Sequence, residues 1–244
     1  MNTILPCFEH YSLLEVEEKL SLDNMQTLLG KSEKIVLNFP KFNKTIEELN
    51  IYNLRDIPFI KDKIIKLNSK LENDFNYGLS DFYTDKISEW SQTKDNIFLI
   101  CSLEDSFLGY LFALRLKPKI FTKLVNLEMK ESEIKQEHFA SLEEMGSDYF
   151  LSFFAMNKEA AALLFIKYYA QLVINQKSIH EVGGATMLED AKKLIEKMCL
   201  QRHKAKPITL DDGEEIMLQT YKESLANFIA CESVLKLIFQ YDKK

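Results

Sequence analysis

Gly146-Ser147-Asp148-Tyr149-Phe150-Leu151-Ser152-Phe153-Phe154-Ala155-Met156-Asn157 is the stretch on which the fold turns. Gly146-Ser147-Asp148 punctuates the chain. The run from Tyr149 to Met156 carries no charge and is dominated by aromatic and aliphatic side chains, the pattern of a strand buried on both faces. Asn157 can then accept the first free amides of a helix. The body of that helix, residues 160–174, is apolar almost all round and broken mainly by Lys167 and Gln171, which predicts a central helix. Strand and helix follow each other with almost no loop.

Downstream, Ile179-His180-Glu181-Val182 reads as a short strand ended by Gly183-Gly184. Thr186-x-x-Glu189 fits a capping box that opens an amphipathic helix, with Leu188, Ala191, Leu194, Ile195 and Met198 as its apolar stripe. Ile208-Thr209-Leu210 and Glu215-Ile216-Met217-Leu218 flank Asp211-Asp212-Gly213 as a hairpin, and residues 223–239 have helical spacing.

Upstream, residues 97–101 and 108–114 flank the turn Glu104-Asp105-Ser106 as an antiparallel hairpin that ends at Pro118, and residues 131–144 are polar and helix-permissive. Residues 51–54 predict a short strand, Arg55-Asp56 a cap, Pro58 the start of a helix through Ile64, Ile65 and Leu67, and residues 81–90 a second helix. Residues 1–45 show no clean period and are read as an N-terminal extension to a domain of residues 46–244.

The 244 residues, 46% hydrophobic and 28% charged, suffice for a packed core, while 7 Gly and 5 Pro exclude a collagenous or turn-dense chain. A formal net charge of -6 gives no general attraction to nucleic acid or anionic membranes, so neither is expected as a partner. Met1 to Pro6 lacks the pattern of a secretory signal and the apolar runs are short, so a soluble cytoplasmic protein is expected. Cys7, Cys101, Cys199 and Cys231 are scattered and read as reduced thiols. The alternative, Cys7-x-x-His10 joined to Cys199-x-x-x-His203 as a zinc site, rests on permissive spacing, and no metal is expected. His10, His138, His180 and His203 form no paired ligand motif. No G-x-S-x-G, P-loop or G-x-G-x-x-G occurs, which removes sequence support for a serine hydrolase, a nucleotide hydrolase or a dinucleotide enzyme.

The chemistry-bearing feature is the strand-to-helix junction. A helix N-terminus presents unpaired amides and partial positive charge to an anion, Ala160, Ala161 and Ala162 permit close backbone approach, and Lys158 adds charge while Glu159 opposes it. The same residues also read as an ordinary core helix capped by Asn157.

The order of elements resembles the GNAT acyltransferase superfamily over residues 49–220. The local likeness is strongest in Gly184-Ala185-Thr186-Met187-Leu188-Glu189-Asp190-Ala191-Lys192-Lys193-Leu194-Ile195-Glu196-Lys197-Met198-Cys199-Leu200, where Ala191, Leu194, Glu196 and Lys197 match the family's A-x-x-L-Y-E-K-L-G-F helix. Ile195 stands where the family commonly has a Tyr that protonates the departing thiolate, and Cys199 and Leu200 replace the closing Gly and Phe. The acyl-CoA signature Q/R-x-x-G-x-G/A falls on Asn157-Lys158-Glu159-Ala160-Ala161-Ala162, with Ala at the last position as in the family but Asn and Ala at the first and fourth.

The resemblance implies an α/β fold, an α+β mixed sheet of GNAT type with an N-terminal extension, and acetyl-CoA as co-substrate. The pantetheine arm would pair with the backbone of Phe154, Ala155 and Met156, and the pyrophosphate would meet Asn157, Lys158, Glu159, Ala160, Ala161 and Ala162. The implied reaction is direct attack of an amine, from a small molecule or a protein, on the thioester. Glu128, Glu181 and Tyr149 are the candidates for its general base. The departures keep a second function open, a catalytically inactive GNAT-like module that binds a partner or serves a structural role.

Overall fold

The computed structural model describes residues 49–57, 64, 83–103, 106–209, 213 and 215–231. Seven strands form one sheet in the order β1-β2-β3-β4-β5-β7-β6. β1 (Leu49–Asn53), β2 (Ile97–Leu103), β3 (Ser106–Leu116) and β4 (Gly146–Ala155) pair antiparallel in succession. β5 (Ile179–Thr186) joins β4 in parallel, and β7 (Glu215–Ser224) lies between β5 and β6 (Gln201–Thr209), antiparallel to both. The helices are α1 (Tyr83–Trp90), α2 (Pro118–Val125), α3 (Lys158–Ile174), α4 (Glu189–Lys197) and α5 (Leu225–Ile229). The expected mixed α/β sheet is present, and its parallel pair follows from α3, which carries the chain back along the sheet so that β5 starts beside the start of β4.

Each face of the sheet buries its own core. On one, Leu163, Leu164, Tyr168 and Leu172 of α3 and Leu225 and Phe228 of α5 pack on Leu99, Cys101, Leu111 and Ala113. On the other, Ile87 and Trp90 of α1 and Phe121 and Leu124 of α2 pack on Phe98, Ile100, Phe112, Leu114 and Tyr149. Removing each large apolar side chain from water contributes about 1.5–3 kcal/mol, so α3 is held by packing along nearly its whole length. Among the described residues no helix is long and apolar enough to cross a membrane.

Several expectations need correcting. Only the first four residues of β4 are buried; from Phe150 onward they are half-buried, because the neighbouring strand departs there. Gly183-Gly184 does not end β5. The strand continues to Thr186, and the glycines are needed because a Cβ on Gly183 would lie 2.5 Å from the Tyr221 carbonyl oxygen. Thr186 does not cap α4. It still pairs with Gln219, and its hydroxyl accepts from the Leu188 amide, one residue short of the helix. Pro118 opens α2 rather than merely closing a hairpin, at a position where its missing N–H breaks no bond. Residues 131–144 form two 3-10 turns and no α-helix. There Glu133 and Glu144 accept from the amides of Lys130 and Ser141, a local alternative to the helical ladder. α1 covers Tyr83–Trp90 of the expected helix, residues 81 and 82 lying outside the described residues, and the last helix begins at Leu225 rather than 223, with Ser224 as its N-cap. The N-terminal extension, the helix after Pro58 apart from Ile64, the turn at Glu104-Asp105 and residues 232–239 lie outside the described residues.

Candidate functional site

β4 and β5 share rungs from Gly146–Ile179 to Phe150–Gly184 and then part. Beyond that rung β4 runs to Ala155 along β3 alone, and β5 runs to Thr186 along β7 alone. The register gives a cause. Ala113 faces Phe150 while Phe112 faces Ser152, so Leu151 is an extra residue in β4. Such a bulge bends its strand and increases its twist. The last rung is tight, since a Cβ on Gly184 would stand 2.7 Å from the Phe150 carbonyl oxygen.

Past the bulge, the amide of Met156 donates to Leu108 O at 2.8 Å. Alternation along an antiparallel ladder then directs the backbone groups of Ser152 and Phe154 toward β3 and those of Phe153 and Ala155 toward the parting. That edge is a short template for an added extended chain.

α3 begins at the end of this edge. Asn157 has extended backbone, and its Oδ1 accepts from the Ala160 amide at 2.8 Å, as the capped-helix reading expects. The Ala161 amide already bonds Asn157 O. Helical geometry commits the Ala162 amide as well, so the amides of Lys158 and Glu159 are the ones that precede the ladder. Met156 and Asn157 are exposed, Ala161, Ala162 and Glu159 half-buried, and Ala160 fully buried. An anion here meets a narrower seat than the span from 157 to 162.

The three candidate bases separate. Glu128 is exposed and bonds Asn126 Nδ2 at 3.1 Å. Glu181 is paired with Lys222 Nζ at 2.8 Å in the first half of β5, away from the parting. Tyr149 sits one residue before the last rung, and its hydroxyl donates to Glu131 Oε1 at 2.6 Å. Glu131 escaped the sequence reading because it lies in a polar stretch whose 3-10 turn has no periodic signal. Ile195 packs against the core on the α3 face. On the same helix, Glu196 accepts from Arg202 and from the Tyr221 hydroxyl. The Arg202 hydrogen bond holds the Glu196 carboxyl below its ordinary range, while burial and Glu196 push Tyr221 up to about 12.

No group of three His, Cys, Asp or Glu side chains is arranged to hold a metal ion among the described residues. Cys7 and His10 lie outside them, and His203 Nε2 is 2.7 Å from Asn126 Oδ1. Two cavities lie away from the parting. One of about 120 Å³ at the opposite end of the sheet is lined by Asn53, Arg55, Asn96, Arg115 and Asp148, and one of about 260 Å³ by Glu181, Arg202, His203 and Lys222.

No protein-family model matches the chain, and no curated protein does. Among solved structures, the chain is similar to the acetyltransferase of the GNAT family from Streptococcus pneumoniae, at 13% identity and a TM-score of 0.46 over 72% of this chain and 99% of that one. It is similar to the N-acetyltransferase from Staphylococcus aureus Mu50 at 12% identity and a TM-score of 0.45, over 72% and 98%. It is also similar to the yncA structure from Salmonella typhimurium, which holds its cofactor acetyl-CoA, at 10% identity and a TM-score of 0.42 over 73% and 94%.

Proposed function

We propose that the chain is an acetyl-CoA-dependent N-acyltransferase, with residues 46–244 as the catalytic domain, residues 1–45 as an extension to it, and the cytoplasm as its compartment. The observation that carries this reading is the parting of β4 from β5 beside the start of α3. A pantetheine arm is an extended chain with amide groups, and the edge at Phe153 and Ala155 offers it backbone partners. Phe154, Ala155 and Met156 form that wall, and Asn157 to Ala162 form the turn and first helical residues beside which the diphosphate comes to rest, chiefly on the amides of Lys158 and Glu159.

In the reaction the amine nitrogen bonds the thioester carbonyl carbon and the carbon–sulfur bond breaks. The ammonium first surrenders one proton to Glu131, with Tyr149 between them as the hydrogen-bonded relay, and the proton shed after attack goes to the departing sulfur. A thiol of pKa about 8.5 is a good enough leaving group to depart as the thiolate and take up that proton afterwards, so Ile195 in place of an acid does not prevent its departure. The second reading, an inactive partner-binding module, draws on Asn157, whose side chain occupies the Ala160 amide that an anion would otherwise use. Titration calorimetry with acetyl-CoA tests both. Micromolar binding with an accompanying rise in melting temperature is expected for the transferase, and no heat and no shift at millimolar acetyl-CoA overturns it.

A further inference from the structure

Resting on that reading of the parting, we infer that the acceptor is a primary amine carried on an aromatic or similarly apolar body, with one positive charge. α3 and the seat at its N-terminus lie on one face of the sheet, which leaves the other face of the parting for the acceptor. On that second face stand Phe107, Tyr110, Leu151 and Phe154, with Ala185 on the β5 lip.

The rings form one wall. Phe107 and Phe154 are parallel to within 2° with centroids 6.4 Å apart, and Tyr110 lies 6.2 Å from the first and 6.1 Å from the second. Tyr110 is fully buried and its hydroxyl meets Ser152 Oγ at 3.3 Å, whereas Phe107 and Phe154 are half-buried. β4 carries no charged residue from Tyr149 to Ala155, and β5 none from Val182 to Thr186.

The carboxylate bonded to Tyr149 is Glu131, on this same face. One carboxylate matches one ammonium, and ring faces add cation–π attraction for it. A polyamine would bring further charges against strand lips that hold no charged residue at positions 149–155 and 182–186, which is costly. Aromatic bodies gain offset or edge-to-face contact with Phe107 and Phe154.

The test separates this inference from the transferase reading. Acetyl-CoA binding is measured by calorimetry on the full chain, and turnover is measured with 2-phenylethylamine, spermidine and a lysine peptide at equal concentration. The expected result is kcat/KM for 2-phenylethylamine at least tenfold above the other two. Phe107→Ala and the milder Phe107→Leu, both checked for unchanged melting behaviour, should raise its KM severalfold without altering acetyl-CoA binding, because Phe107 lies on β3 outside the residues assigned to the cofactor. Acetyl-CoA binding with spermidine or the peptide preferred, or with no turnover of 2-phenylethylamine, overturns the acceptor assignment alone. Absence of acetyl-CoA binding overturns the transferase reading and the assignment with it.

Discussion

Asp148 Oδ1 stands 3.7 Å from Arg115 Nη1, too far for a hydrogen bond, although both side chains are almost wholly buried. Arg115 spends its other donors on the carbonyls of Ser141, Glu144 and Ser178, tying the β3–β4 and α3–β5 connections together. Burial outweighs the attraction of Arg115 and pushes the Asp148 carboxyl up to about 7. A folded-state value above the unfolded one means that the folded protein binds more protons between about pH 4 and about pH 7. Stability contributed by this group is thus full below that window and declines through it. Thermal unfolding across pH 4 to 8 should show that loss in the parent chain, and Asp148→Asn, which cannot ionise, should flatten it.

Gly184 marks the point where the two parallel strands separate. Gly184→Ala places a methyl against the Phe150 carbonyl oxygen, where the ideal Cβ stands at 2.7 Å, and backbone cannot yield as a flexible side-chain end would. Overpacking of this kind costs about 1–3 kcal/mol. Urea unfolding should report a loss in that range, and acetyl-CoA affinity should fall as the last rung is displaced.

The hairpin of β2 and β3, the apolar β4 and the capped α3 were legible because each has a local signature: two apolar runs flanking a polar turn, an uncharged aromatic run, and Asn157 before alanines. The parting was not legible, because it depends on which residue of β4 lacks a partner in β3, and Leu151 looks like any other apolar strand residue. Gly183-Gly184 misled for a related reason. Glycine signals a turn in isolation, yet here it answers to the crowding of Tyr221 on one side and Phe150 on the other. Tyr149 could be picked out as titratable near a strand, but its partner Glu131 lies 18 residues away in a segment with no period. Long-range side-chain pairs of this kind are set by tertiary packing, which a linear pattern does not encode.

Asn157 offers a prediction in which stability and affinity move apart. Its side chain caps α3 through the Ala160 amide, so Asn157→Ala should cost about 1 kcal/mol in urea unfolding. The same change releases that amide toward an approaching diphosphate. Calorimetry should therefore find acetyl-CoA binding by the folded variant equal to or tighter than that of the parent. Weakening beyond tenfold would show that Asn157 itself holds the ligand.

Glu131 and Tyr149 supply the proton path in the proposed reaction, and their 2.6 Å contact fixes the carboxylate at the level of the last β4–β5 rung. Positioned proton transfer is worth about 10²–10⁴-fold in rate. Glu131→Gln keeps the size of the side chain and a hydrogen-bonding oxygen for Tyr149, but removes the proton acceptor. Its kcat/KM for 2-phenylethylamine should drop by that order while acetyl-CoA affinity is unchanged. The pH profile discriminates loss of the base from loss of packing. Without Glu131 only amine already neutral in solution can attack, so log kcat/KM should climb with unit slope toward the amine's own pKa, whereas the parent levels off at lower pH. A variant whose profile keeps the parent's shape at reduced height would assign Glu131 a structural role.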